Sequence, residues 1–252
     1  MLILPTMLIM GLLLGFIGAG GAGSIIAILT IFFHVPIHTA LGTSLLAMVF
    51  TSLSGTYSHF REHNTILPVG LATGLFGAMG AYLGSQLSYL IPGDNLQWLT
   101  ASMLILSSLA LAIRIFKGFG MFEETTSILH HPKTMRFWIA ALGVGLITGL
   151  LSGLFGIGST PFIQIGLLTF FGLTVQEAAG TTMLVILPIA LLGGLGYFSL
   201  GFIDIKIFLE VVGGTMIGSY IGAKFTTRLH PTILKVAMVG VPAAGAILLF
   251  FG

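Results

Sequence analysis

The sequence predicts an all-α polytopic membrane protein. It consists of two homologous repeats, inverted relative to each other. Each is a Gly-broken, re-entrant helical hairpin followed by three transmembrane helices. Three observations predict this. Of 252 residues only 9 are Lys or Arg and 7 are Asp or Glu, or 6% charged, against ~25% in an ordinary soluble domain. With 56% hydrophobic residues and a mean hydropathy of +1.11, the chain is too poor in polar side chains for a water-soluble fold. The second observation is 36 glycines, many of them gathered at two interruptions of apolar segments. The third is a sequence repeat at a constant offset.

A helix needs ~20 mostly apolar residues to cross ~30 Å of hydrocarbon. Such spans read at Leu41–Phe60, Ile66–Ile91, Leu96–Phe116, Ala179–Leu200, Ile207–Thr226 and Ile233–Phe250. Short polar turns separate them. Two further apolar regions do not read as single spans. Met1–Phe33 is interrupted by Gly18-Ala19-Gly20-Gly21-Ala22-Gly23, and Phe137–Phe171 by Gly156-Ile157-Gly158-Ser159-Thr160-Pro161. Gly and Pro destabilise a continuous helix by ~1 and ~3 kcal/mol per residue. Each region is therefore expected to form two helical pieces joined by non-helical backbone. At membrane depth such backbone is tolerated only when packed in protein or lining a cavity.

The domain boundaries follow. Residues 1–116 form a first transmembrane repeat, 117–136 a polar cytoplasmic linker, and 137–252 a second repeat. Gly11, Gly15, Gly18 and Gly20 recur as Gly149, Gly153, Gly156 and Gly158, an offset of 138 residues. The same offset takes Gly42-Thr43-Ser44 to Gly180-Thr181-Thr182. It also takes Gly80-Ala81-Tyr82-Leu83-Gly84 to Gly218-Ser219-Tyr220-Ile221-Gly222. Paired broken helices in repeated halves are a signature of secondary transporters, with the breaks at the binding site.

The cations discriminate between topologies. If each broken segment crosses once, Arg61, Arg114, Lys117, Lys133, Arg136 and Lys206 share one side and Lys224, Arg228 and Lys235 the other. If each is a re-entrant hairpin, every cation but Lys206 shares one side. The hairpin arrangement fits the positive-inside rule better. It gives each half an odd number of crossings, so the halves are inverted, with both termini outward.

In that arrangement two Gly-rich tips approach the midplane from opposite faces. Gly20, Gly21 and Gly23 precede Ser24, at the expected start of a short helix over Ser24–Phe33. Gly158, Ser159 and Thr160 precede Pro161, which suits the first position of a helix over Pro161–Phe171. A helix start carries unsatisfied N–H groups and about +0.5 charge, a ready anion site. The candidate substrate-binding residues are therefore Gly20, Gly21, Ser24, Gly42, Thr43, Ser44, Gly158, Ser159, Thr160, Gln164, Gly180, Thr181 and Thr182. No Lys or Arg lies in mid-span, so an anion would be held by dipoles and neutral donors. The bland readings are close at hand. Gly11–Gly15, Gly80–Gly84, Gly149–Gly153 and Gly218–Gly222 fit the small-xxx-small packing motif. Span hydroxyls usually bond the preceding turn of their own helix.

Other chemistry is thinly represented. The chain has no Cys, which excludes disulfides and thiolate metal sites. No Lys/Arg patch marks a nucleic-acid surface. His130-His131 has no third ligand nearby, so neither a metal nor a cofactor is expected. Glu210 and His59 read as interfacial residues ahead of proton carriers. Ser54 and His59 lack a nucleophile motif, so the chain does not read as an enzyme. No leading positive region marks a cleavable signal peptide.

The stretches Gly15–Gly23 and His38–Leu46, followed by Gly153–Pro161 and Ala178–Thr182, resemble the sulfite exporter TauE/SafE family of membrane permeases. The resemblance covers nearly the whole chain. It implies duplicated four-helix units in the cytoplasmic membrane that export or take up sulfite, sulfonates and related sulfur-containing or organic anions. The function expected is an integral membrane transporter of a small anion, working by alternating access around the two broken helices. Its partners are the anion, a coupling proton or ion, and the lipid bilayer. The competing class is a passive anion channel, since half-helices also build pores.

Overall fold

The computed structural model describes residues 2–17, 22–116, 134–157, 159–226 and 231–251. These form ten helices and no strand: α1 (Ile3–Ile17), α2 (Ala22–Ile31), α3 (Ile37–Arg61), α4 (Leu67–Ser88), α5 (Gly93–Phe116), α6 (Met135–Phe155), α7 (Thr160–Phe171), α8 (Val175–Ser199), α9 (Ile205–Thr226) and α10 (Pro231–Phe251). Among the described residues, α3, α4, α6 and most of α8 are long and apolar enough to cross a bilayer. α2 and α7 are short apolar helices. The chain is thus an all-helical, multi-pass membrane protein in which long helices alternate with two half-length ones.

Local chemistry sets several boundaries. Thr174 and Glu177 form a reciprocal capping box at the start of α8, satisfying two otherwise orphan donors. α6 stops where Gly156 turns left-handed at φ 66° and returns its N–H to the Ser152 carbonyl. α7 has Pro in its first turn. The first short helix begins at Ala22, not at Ser24 as the glycine run implied. Gly23 is accommodated inside it because Leu104 of α5 fills the space a Cβ would need.

Helix bounds recur at the offset found in the sequence. α3 and α8 run over 37–61 and 175–199, and α4 and α9 over 67–88 and 205–226. The packing repeats in the same way. A Cβ on Gly149 would strike the Gly77 backbone, and one on Gly11 would strike the Thr215 backbone. A Cβ on Gly80 would meet Leu146 and Leu150, and one on Gly218 would meet Leu8 and Leu12. Adding 138 to one partner and subtracting it from the other converts each contact into its counterpart. α6 thus packs backbone to backbone on α4, and α1 on α9. These close approaches are what small residues permit between membrane helices. The packing reading therefore holds for Gly11, Gly80, Gly84, Gly149, Gly153 and Gly218. The side-chain positions of Gly15 and Gly222 lie outside the described residues.

Helix directions follow from the same contacts. α4, α6 and α8 run parallel, since Gly145 and Gly149 face Thr73 and Gly77, and Gly70 and Gly77 face Leu184 and Ile189. α3 and α8 run antiparallel: Gly42 lies on Tyr197 and Gly55 on Met183. α5 and α10 are also antiparallel. Gln97 Nε2 donates to the Leu249 carbonyl at 3.0 Å and Ser108 Oγ to that of Val239 at 2.9 Å. α7 folds back along α6, with Phe171 edge-on to Phe137 at 5.7 Å and Gly166 against Val144.

Candidate functional site at the second helix break

The break between α6 and α7 is built by three hydrogen bonds and an αL residue at each side. Tyr197 Oη donates to the Gly153 carbonyl at 2.9 Å, with the Leu154 carbonyl at 3.4 Å. These belong to the last turn of α6, whose carbonyls have no helical partner. Ser44 Oγ donates to the Gly156 carbonyl at 3.2 Å and also to Leu41 at 2.8 Å. Gly156 N–H donates to the Ser152 carbonyl at 2.8 Å. Ser159 then sits at the start of α7 with φ 47°, a conformation uncommon outside Gly, Asn and Asp.

Three hydroxyls around this break have no partner. Ser152 lies one turn before it, and Ser159 and Thr160 lie directly after it. Ser152 and Ser159 are fully buried. Thr43, beside Ser44 in α3, is likewise buried and unpartnered. Buried polar groups are nearly always satisfied, so a cluster of exceptions calls for a ligand or water. The Ile163 N–H donates to the Ser159 carbonyl at 3.0 Å. Gln164 is half-buried, one turn on from Thr160 on the same face. Residues 137–176 contain no charged side chain, so positive potential here comes from the helix start and from hydroxyls.

The sequence-derived candidates do not converge on one place. Gly42, Thr43 and Ser44 lie against the second break. Gly180 and Thr181 pack instead at the far end of α3, with Gly180 on His59 and Asn64 and Thr181 Oγ1 accepting from the Ile66 N–H at 3.0 Å. Thr182 Oγ1 is bonded to the Ala178 carbonyl at 2.6 Å. Gly194 packs on Leu46, so thirteen residues of α8 separate the two groups, about 20 Å at the helical rise. Ser24 is bonded to the Val241 carbonyl at 3.3 Å in the middle of α10. Gly20, Gly21 and Gly158 lie outside the described residues. The second break is not wholly at mid-depth either. α6 is 21 residues long, about 31 Å, so its last turn meets the second turn of α3 near one end of the bundle. The half-helices themselves begin deeper. Ala22 shares an apolar cluster with Ile163 of α7, Met48 at the middle of α3 and Ile186 at the middle of α8.

Sequence reasoning missed Tyr197 and Ser152. Tyr197 carries a readable signal, since an aromatic hydroxyl inside an apolar span needs an acceptor. Ser152 carries none, because a span Ser normally satisfies itself. Among the described residues, no group of His, Asp and Glu is placed to hold a metal.

The sequence pattern of the family described as Sulfite exporter TauE/SafE matches residues 3–249. The chain belongs to the TauE/SafE family. It is 49% identical over 251 residues, spanning all of both chains, to a probable membrane transporter protein, YdhB, of Bacillus subtilis. It is 30% identical over 248 residues, 97% of this chain and 91% of the other, to the probable membrane transporter protein ORF9 of a Sinorhizobium species. No solved structure matches. This TauE/SafE protein is accordingly a membrane transporter.

Proposed function

We propose that the protein moves a small anion (sulfite, a sulfonate or a related sulfur-containing or organic anion) across the cytoplasmic membrane by alternating access. The observation that carries the reading is the set of buried, unpartnered hydroxyls of Ser152 near the end of α6 and of Ser159 and Thr160 at the start of the half-length α7. An anion there receives N–H and O–H donors and the positive end of the α7 dipole. With no fixed cation beside it, binding stays weak enough for release. Gly20, Gly21 and Gly158 stay in this reading on sequence grounds, and Gly180–Thr182 would serve the other half.

Inverted halves supply the alternation. Helices α3 and α8 are equivalent by the 138-residue offset and pack antiparallel, as do α5 and α10. An axis relating antiparallel equivalents lies in the membrane plane, the arrangement of inverted-repeat transporters. The α6–α7 pair enters and leaves at the end of the bundle that holds Arg61, which supports the re-entrant reading. α5 ends and α6 begins at that end, so by sequence most of the cations belong to it, which supports a cytoplasmic face. Single cysteines placed at Leu2 and Thr134 of this Cys-free chain test the orientation. A membrane-impermeant maleimide should label the first from outside the cell and the second only after permeabilisation. The reverse pattern sinks the inverted model.

Transport itself is tested in proteoliposomes with sulfite, thiosulfate, sulfoacetate and carboxylates, with and without a pH gradient. Saturable, gradient-responsive uptake of one of the sulfur anions is expected. Non-saturating flux that ignores every gradient would establish the channel instead, and no anion flux would refute the reading.

A further inference from the structure

We propose that His59, backed by Glu62, is a proton-binding site of the transport cycle at the cytoplasmic end of the bundle. The inference rests on the transporter reading and names its coupling ion. His59 occupies the last turn of α3 with its Cβ against Gly180 of α8. Its Nδ1 is buried and has no hydrogen-bond partner. That nitrogen lies 3.9 Å from Glu62 Oε2, too long for a hydrogen bond but within reach of an ion pair. The carboxylate is held in place, since Asn64 Nδ2 donates to Glu62 Oε2 at 3.3 Å and Asn64 N–H donates to the His59 carbonyl at 3.0 Å. The His59 side chain is 32% exposed and that of Glu62 60%, so water reaches the pair while Nδ1 itself is shielded.

The pairing of halves shows what is unusual here. Gly42 lies on Tyr197 and Gly180 lies on His59, and the 138-residue offset converts one contact into the other. Tyr197 permanently donates to the carbonyls that end α6. At the equivalent place in the first half stands an imidazole, the side chain whose charge changes between about pH 5 and 8. Neutral His59 leaves Nδ1 unsatisfied. A proton taken from cytoplasmic water gives an imidazolium whose Nδ1–H faces the Glu62 carboxylate, and its release returns the proton to water.

The other charged groups nearby are few. Arg61 and His63 flank the pair on its own helix end. α8 contributes Glu177, whose carboxylate is engaged with Thr174. α9 carries Lys224 toward this end and Lys206 and Glu210 toward the other. α5 carries Asp94 and Arg114, and α2 carries no charge. Among the described residues, no other carboxylate is placed to answer a charge on His59.

The test is proton movement in proteoliposomes, read with an entrapped pH dye during sulfite flux. It is paired with ring-carbon NMR of ¹³C-histidine protein between pH 5 and 8.5. In the wild type, protons should move with sulfite and the His59 signal should titrate and shift in Glu62→Gln. In His59→Gln, and in His59→Tyr, which copies the residue of the other half, the protons moved per sulfite should fall at least tenfold. An unchanged ratio in both variants overturns the proposal, as does a His59 signal that never titrates. If no sulfite moves in the wild type, the transporter reading for that anion fails. The titration and its response to Glu62→Gln still decide the proton site.

Discussion

Ser159→Ala combined with Thr160→Val is expected to raise the KM for the transported anion by ~100- to 10,000-fold, without loss of folded protein. The magnitude follows from ~1.5–3 kcal/mol for each hydrogen bond to a charged group and a factor of ten per ~1.4 kcal/mol. The second half of the prediction makes it discriminating. Neither hydroxyl has a protein partner. Removing them takes away two unsatisfied polar groups from a buried place, which costs the fold nothing and can stabilise it. A structural hydroxyl behaves oppositely, lowering the melting temperature and leaving KM alone. Thr148→Val provides that contrast, since Thr148 Oγ1 is already bonded within its own helix at 2.7 Å. Uptake kinetics in proteoliposomes and thermal unfolding in detergent separate the outcomes. An unchanged KM in the double variant removes the α7 start from the binding site.

Gly149→Leu should yield no folded protein, and Gly149→Ala should cost about 1–3 kcal/mol, the range for overpacking a tight interface. The cause is local. A Cβ on Gly149 runs into the Gly77 carbonyl and Cα, which are backbone and have no rotamer to escape into. Separating α4 from α6 to make room would also pull Gly145 and Gly153 away from Thr73 and Ala81. Gly11→Leu should fail in the same way against Thr215. Gly143 lies on the same helix as Gly149, with open space where its Cβ would be. Gly143→Ala should therefore match the wild type, or gain slightly in helix propensity. Yield of monodisperse protein and melting temperature across these four variants give the answer. A tolerated Gly149→Leu would mean that the α4–α6 contact is not tight in the membrane.

Much of the fold was legible in the chain. Helices at the six expected spans and the break after α6 were readable because helix length against bilayer thickness, and Gly and Pro against helix, are local effects; the first interruption lies outside the described residues. The offset of 138 was readable because the packing glycines cannot drift where backbones touch. α6 ends at Phe155, where Gly156 turns left-handed, as its helix-breaking chemistry requires. Less of the site was legible. Gly42-Thr43-Ser44 and Gly180-Thr181-Thr182 look alike in sequence. Yet Ser44 serves the second break, while Thr181 holds the start of α4.

Scarcity of charge and long apolar segments determined, from the sequence alone, a helical membrane protein; for the proposed anion, the grip would come from helix ends and hydroxyls. Which hydroxyls are free was decided only by the tertiary structure. A span Ser or Thr can satisfy itself on its own preceding turn, as Thr148 and Thr215 do. Whether it does depends on its rotamer and on what neighbouring helices offer. That competition places Ser24 on α10 and Ser44 on the Gly156 carbonyl. Around the second break it leaves Thr43, Ser152, Ser159 and Thr160 unpaired, and elsewhere Thr30, Thr56, Thr65, Thr73 and Thr100.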